Sequence, residues 1–160
     1  MVRHSGKLPG WQRFEFGVQK PAVNHIGEPI TLADYALHVA CAWRIVGPKG
    51  IAVGSFDYYF DGESPLEQRH DFWDGPGQTL RDRRGYEFFD LLHKEVLVVS
   101  EVGVDSVGSL HVAMAEGYVL DVLPVDSTYE EHWRLLPPGK NVPHFVLSGE
   151  GGEWAPEEPE

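Results

Sequence analysis

The chain is short of the residues that staple a protein or give it positive charge. Cys41 is the single cysteine among 160 residues, so no internal disulfide can form. That excludes the small disulfide-stapled scaffolds of secreted proteins. Cys41 lies inside an alternating apolar run and reads as a buried, inert thiol. Lysine and arginine number 13 against 25 acidic residues, a formal net charge of −12. A surface for nucleic acid or an anionic membrane would need a basic patch to release counterions, so neither partner is expected. No stretch approaches the ~18 apolar residues of a membrane span. Residues 1–14 carry charge but no apolar signal core. A soluble, cytoplasmic protein is the expectation.

Catalytic motifs are also lacking. There is no Gly-x-Gly-x-x-Gly and no phosphate loop. No serine elbow of the Gly-x-Ser-x-Gly type is present; Ser148-Gly149-Glu150-Gly151 does not fit it. No His-x₃-His or cysteine pair suggests zinc, and the acidic stretch near Asp61 does not match a calcium loop. No cofactor and no metal are expected.

What is present is core material and turns. Hydrophobic residues make up 42%, with five Trp, six Tyr and eight Phe. A chain of this length can bury about two-thirds of its unfolded surface and needs no staple. Eighteen glycines and twelve prolines favour many short strands over a few long helices.

The pattern predicts an α+β domain of seven or eight mostly antiparallel strands with one helix near 79–94. A single β-rich domain over 1–154 is expected, followed by an acidic disordered tail at 155–160. The first strand covers Arg13 to Val18, and 19–32, with Pro21, Gly27 and Pro29, reads as loop. Tyr35 to Ile45 alternates over eleven residues and reads as one half-buried strand. Gly47-Pro48-Lys49-Gly50 then suits a turn with a positive-φ glycine, returning through Ile51 to Phe56. Pairing Gly47 with Ile51 sets Ile45 opposite Val53 and Trp43 opposite Ser55. The helix is marked by a stripe of Tyr86, Phe88, Phe89, Leu91 and Leu92.

The second half reads as strand again from Glu95 to Val104, then as a hairpin over 110–123. A three-residue loop, Ala115-Glu116-Gly117, pairs Met114 with Tyr118, Val112 with Leu120 and Leu110 with Val122. His111 then falls directly opposite Asp121. The two hairpins use one loop device, so Gly50 and Gly117 should have positive φ, and Trp43 and Val112 should be buried. Thr128 to Glu131 has the spacing of a helical capping box. Strands at Trp133–Leu136 and His144–Leu147 complete the pattern.

Two constellations could carry function. Between 57 and 74 lie Asp57, Asp61, Glu63, Glu67, Asp71 and Asp74 against one Arg69, with Tyr58, Tyr59, Phe72 and Trp73 among them. Aromatic anchors in an acidic rim suit a docking surface for a basic protein partner. The same residues could equally be a solvated face whose aromatics fold back on the core. The second constellation is a polar pocket of His111, Asp121, His132 and His144. A carboxylate beside an imidazole can poise it for proton transfer, although a cross-strand surface pair has the same signature.

Ser109-Leu110-His111-Val112, Glu116-Gly117, Leu120-Asp121-Val122, Glu131-His132-Trp133-Arg134-Leu135 and Gly151-Gly152-Glu153-Trp154 resemble small bacterial β-rich domains of unknown function. Some of those sit beside polymorphic toxins as immunity proteins. The stretch Leu37 to Ile45 is similar to the first half of such chains. The resemblance covers about half the chain and implies no catalytic residues. It ranks non-catalytic binding of a basic, toxin-like partner first. A small-molecule-binding protein or hydrolase-like enzyme using the histidine pocket comes second, and a structural subunit of a larger assembly third.

Overall fold

The computed structural model describes residues 11–24, 26–60, 79–94, 97–138 and 142–155. Among these residues there are twelve strands and one α-helix, and every strand pairing is antiparallel. The strands are β1 (Gln12–Phe16), β2 (Lys20–Val23), β3 (Pro29–Leu32), β4 (Tyr35–Val39), β5 (Ala42–Gly47) and β6 (Gly50–Gly54). They continue as β7 (Val99–Val104), β8 (Leu110–Met114), β9 (Val119–Leu123), β10 (Glu131–Leu136), β11 (His144–Ser148) and β12 (Gly151–Ala155). The helix α1 spans Leu80–Lys94. The α+β class is therefore as the periodicity indicated.

The described residues fall into two compact units. Those up to Cys41 with those from Asp126 make one, and Ala42–Val125 make the other.

In the first unit a five-stranded sheet runs in the order β1-β4-β10-β11-β12. Its registers line up Phe14, Leu37, Leu135, Phe145 and Trp154 across all five strands on one face. Phe14 and Leu37 are buried, and rings continue the row: Phe145 stands 5.4 Å from Trp133 and 5.5 Å from Trp154. Burying each such side chain stabilises by roughly 1.5–3 kcal/mol. Among the described residues strands β2 and β3 pair only with each other, as a two-stranded sheet.

That ribbon overturns the loop expected over 19–32. Pro21 and Pro29 are loop signals in a central strand, but in a two-stranded ribbon each strand has an open edge where no N–H is needed. Asn24 closes the ribbon: its Oδ1 accepts from the N–H of Ile26 at 3.1 Å and of Glu28 at 2.8 Å. Strand β12 is a second addition. Gly151-Gly152 looks like tail, yet Gly152 leaves room for the Phe145 ring. Ala155 closes β12; residues 156–160 of the expected tail lie outside the described residues.

The single strand expected from Tyr35 to Ile45 is two strands in two sheets. The chain breaks at Ala40-Cys41, whose N–H groups both donate to the His132 carbonyl at 2.8 and 3.1 Å. A two-residue interruption preserves the odd–even phase, so alternation runs through it unchanged. Cys41 is half-buried rather than fully buried. Residues 128–130 form no helix. Thr128 instead folds back on Asp126, which accepts from its N–H and its hydroxyl.

The second unit holds a five-stranded sheet in the order β6-β5-β9-β8-β7, with α1 packed against β6. Trp43, Ile45, Val53, Val112, Leu120 and Val122 are buried on it, joined by Leu80 and Phe88 of α1. Tyr86, expected in the helix stripe, is instead 69% exposed. It stands two residues from Phe88, which turns it about 160° around the helix from the buried face.

Both turn glycines have positive φ, Gly50 at 120° and Gly117 at 74°. The register of β8 and β9 is the one expected, with Met114 N–H donating to the Tyr118 carbonyl. In the first hairpin Ile45 does oppose Val53, but Gly47 opposes Gly50 rather than Ile51. The extra residue, Ala52, sits in a bulge. Neither Pro48 nor Lys49 has positive φ. Such a turn splays twisted strands, and the bulge restores their pairing.

Gly149 and Gly27 separate two uses of glycine. A Cβ on Gly149 would lie 2.4 Å from the Thr128 carbonyl oxygen, which is backbone and cannot turn aside. Gly27 has φ of +83° with nothing within 4 Å. Gly149→Ala should cost about 3 kcal/mol and Gly27→Ala about 1 kcal/mol in urea unfolding.

Candidate functional site

The acidic segment begins on a 3₁₀ turn, Ser55–Tyr59, directly after β6. Asp57 caps that turn, its Oδ2 accepting from the Gly54 N–H at 3.0 Å. Arg84 of α1 approaches the same carboxylate at 3.6 Å, and the Arg81 guanidinium stacks 4.8 Å from the centre of the Tyr58 ring. Arg81 is 9% exposed, and burial is the main cause lowering its pKa. Arginine remains charged even so, and the aromatic face and nearby carboxylates hold it.

Two more contacts fix the far end. Leu80 N–H donates to the Phe60 carbonyl at 2.8 Å, joining the start of the segment to its end. Thr79 caps α1, its hydroxyl accepting from the Asp82 N–H while Asp82 accepts from the Thr79 N–H. Phe60 and Leu80, on either side of residues 61–78, therefore meet at one place. Of the residues expected to bind a partner, Asp57 and Tyr58 are seen to be anchored on α1. Of Tyr59 the backbone alone is described, within the 3₁₀ turn. Asp61, Glu63, Glu67, Asp71, Phe72, Trp73 and Asp74 lie outside the described residues. Phe56, which sequence reading did not single out, is 63% exposed at the threshold of the segment.

The histidines are divided between the two units. His111 stands directly opposite Asp121 in the second unit, as its register requires. Its Nδ1 lies 2.9 Å from Asp121 Oδ1, and Arg44 Nε donates to the other oxygen at 2.8 Å. Asp121 is buried at 9% exposure, while His111 and Arg44 reach solvent. The carboxylate holds the imidazole through Nδ1. Arg44 was not among the sequence candidates. It pairs across 77 residues, and its one local signal is a charge on the polar side of β5.

His132 and His144 belong to the first unit. His132 is the bulged residue of β10, 3% exposed, with Nε2 3.9 Å from Asp126 Oδ1. His144 lies on β11 near His38, a histidine the sequence did not single out. His38 stands in one cross-strand row between Arg13 and Arg134. Each arginine has its own carboxylate: Arg13 meets Glu15 at 2.8 Å and Arg134 meets Glu131 at 2.6 Å. Burial and then the arginines lower the His38 pKa to about 4.

Among the described residues no group of three or more His, Cys, Asp or Glu could hold a metal ion. No helix among them is long and apolar enough to cross a membrane. Comparison with protein-family models, with curated proteins and with solved structures gave no match.

Asp121 and His38 yield opposite kinds of prediction. Asp121→Ala removes two charge-assisted hydrogen bonds from a buried carboxylate and should cost about 1–3 kcal/mol. His111→Ala removes one exposed partner and should cost about 0.5 kcal/mol or less. Urea midpoints of the two variants compare them. The neutral His38 of the fold takes up its proton near pH 4, whereas the unfolded chain takes one up near 6.5. The unfolded state therefore binds more protons between those values, and stability falls as pH drops from 6.5 towards 4. His38→Gln should flatten that part of the profile relative to the wild type.

Proposed function

We propose that this protein is a non-catalytic binding module. It engages a basic protein partner through the acidic, aromatic segment 57–74, in the manner of an immunity or antitoxin protein. The observation that carries this reading is the junction of Phe60 with Leu80. It ties both ends of an acid-rich segment to the capped start of α1. Of the six acids in the segment, Asp57 is engaged by the scaffold through Gly54 and Arg84. The other five have a single basic residue, Arg69, within their own stretch of chain. Concentrated charge of one sign raises the rate at which an oppositely charged partner arrives, and aromatic side chains supply contact area once it docks.

A second reading is a small-molecule-binding protein or hydrolase-like enzyme. The arrangement that favours it is the His111–Asp121 pair, where a buried carboxylate holds an exposed imidazole at 2.9 Å.

The test replaces Asp61, Glu63, Glu67, Asp71 and Asp74 by Asn or Gln and leaves Asp57 in place as a cap. A basic protein captured from the native host by the wild type should associate with the variant at least about tenfold more slowly. Its remaining binding should depend less on salt. Equal rates for the two proteins, or no basic partner from the host, would end the proposal.

A further inference from the structure

We propose that Arg44 and His111, both held by Asp121, form a site for a small organic anion on the polar face of the second unit's sheet. This rests on the second reading above, a small-molecule site at the His111–Asp121 pair, and names the chemistry of the ligand.

The site is built on one cross-strand row. Gly54, Arg44, Asp121, His111 and Gly103 stand opposite one another on β6, β5, β9, β8 and β7. Residues directly opposite share a face, so the three side chains of the row emerge together. Glycine at each end sets no side chain beyond Arg44 or His111. A Cβ added at Gly54 or Gly103 would meet no atom closer than 3.6 or 3.9 Å, so the space beside both groups is open.

Asp121 is committed to its two neighbours. One oxygen faces His111 Nδ1 at 2.9 Å, and the other accepts from Arg44 Nε at 2.8 Å. Its side chain is 12% exposed, against 60% for His111 and 46% for Arg44. The carboxylate is thus screened by the groups it orients. An ionised carboxylate only accepts, so His111 Nδ1 carries a proton. A guanidinium has five N–H groups in a rigid fork, and Asp121 takes one of them. Among the described residues the rest of the fork and the second ring nitrogen of His111 have no partner. An oxyanion head, carboxylate or phosphate, suits this pair. Its oxygens match the open side of the fork, and an imidazole backed by a carboxylate can hold a proton beside them.

The rows on either side favour a ligand with an apolar body. Residues two apart on a strand share a face. Val119, opposite Val46 and Ala113, lies on one side of Asp121, and Leu123, opposite Ala42, on the other. All five are half-buried and none carries charge. Glu101 of β7 is opposite Ala113 and so diagonal to His111, which leaves the Arg44 side to the anion.

Titrating the full chain with inorganic phosphate, with butyrate and with uncharged butyramide, at fixed ionic strength, tests this. The readouts are calorimetry and the ring resonances of His111, assigned by their loss in His111→Gln. The chain carries a net charge of −12 and repels anions at large, so saturable binding reports a local site. Phosphate or butyrate should saturate and shift the His111 resonances, and the tighter of the two identifies the head group. Butyramide should do neither. Arg44→Gln keeps an amide donor for Asp121 and should weaken anion binding at least about tenfold. It alters none of the acids between 57 and 74, so the binding-module reading is tested by different variants. If butyramide binds as well as butyrate, the anion proposal falls and the small-molecule reading survives. If none of the three shifts the His111 resonances, both fall. Anion binding that Arg44→Gln leaves intact also overturns the proposal.

Discussion

Strand β9 sets the phase of the second unit. It pairs with β8 on one side and β5 on the other, so one alternation must satisfy two registers at once. Leu120 and Val122 meet Val112 and Leu110 in one direction and Ile45 and Trp43 in the other, and all six are buried. A slip of one residue on either side would turn an apolar row to the polar face. The residue between Leu120 and Val122 is Asp121, which must then lie on the face of His111 and Arg44. The triad is thus a consequence of register. Its carboxylate tolerates 9% exposure because both neighbouring strands bring a cation or a polarisable ring to it.

How far this was legible depends on the range of each interaction. The second hairpin could be read closely, because Gly117 and the face of Leu110, Val112 and Met114 lie within a dozen residues. His111 opposite Asp121 follows from that reading without further information. Arg44 does not, since nothing local to β5 says which strand lies beside it. The ribbon of β2 and β3 was hidden for another reason. A proline counts against a strand only if its missing N–H faces a neighbour, and that depends on pairings the sequence does not state. The break at Ala40-Cys41 was hidden because an even interruption leaves alternation intact. His38 illustrates the same limit on chemistry: its row with Arg13 and Arg134 joins three strands that are far apart in the chain.

Charge is handled in two ways along the chain. Three carboxylates of the sheets are matched. Glu15 has Arg13, Glu131 has Arg134, and Asp121 has Arg44. Such pairs add little at a surface but prevent the penalty of an unpaired charge where burial is partial. Asp34 is a surface case: Lys20 and the Val18 N–H hold its carboxyl below the usual range. Between 57 and 74 and again beyond Gly149 the acids outnumber any local cation. A net charge of −12 therefore arises outside the matched rows. Self-repulsion of that size favours solubility and penalises compaction.

The strand edges left open among the described residues are treated unequally. Strand β6 carries glycine at each end, is bulged at Ala52, and lies against α1. Strand β12 is glycine at two of its five positions, which weakens it as a pairing template, and Trp154 leans on Phe145. The ribbon of β2 and β3 has Pro21 and Pro29, which cannot donate to an incoming strand. Strand β7 has a bulge at one end and one exposed acid, Glu101, but beyond the bulge it presents valines with outward backbone groups. Protection by charge alone holds only against a strand that puts an acid opposite Glu101. A register that meets it with glycine, or a strand that meets it with a lysine, passes that barrier. What a strand pairing there would meet is one charged position, which is a condition on sequence rather than on overall charge.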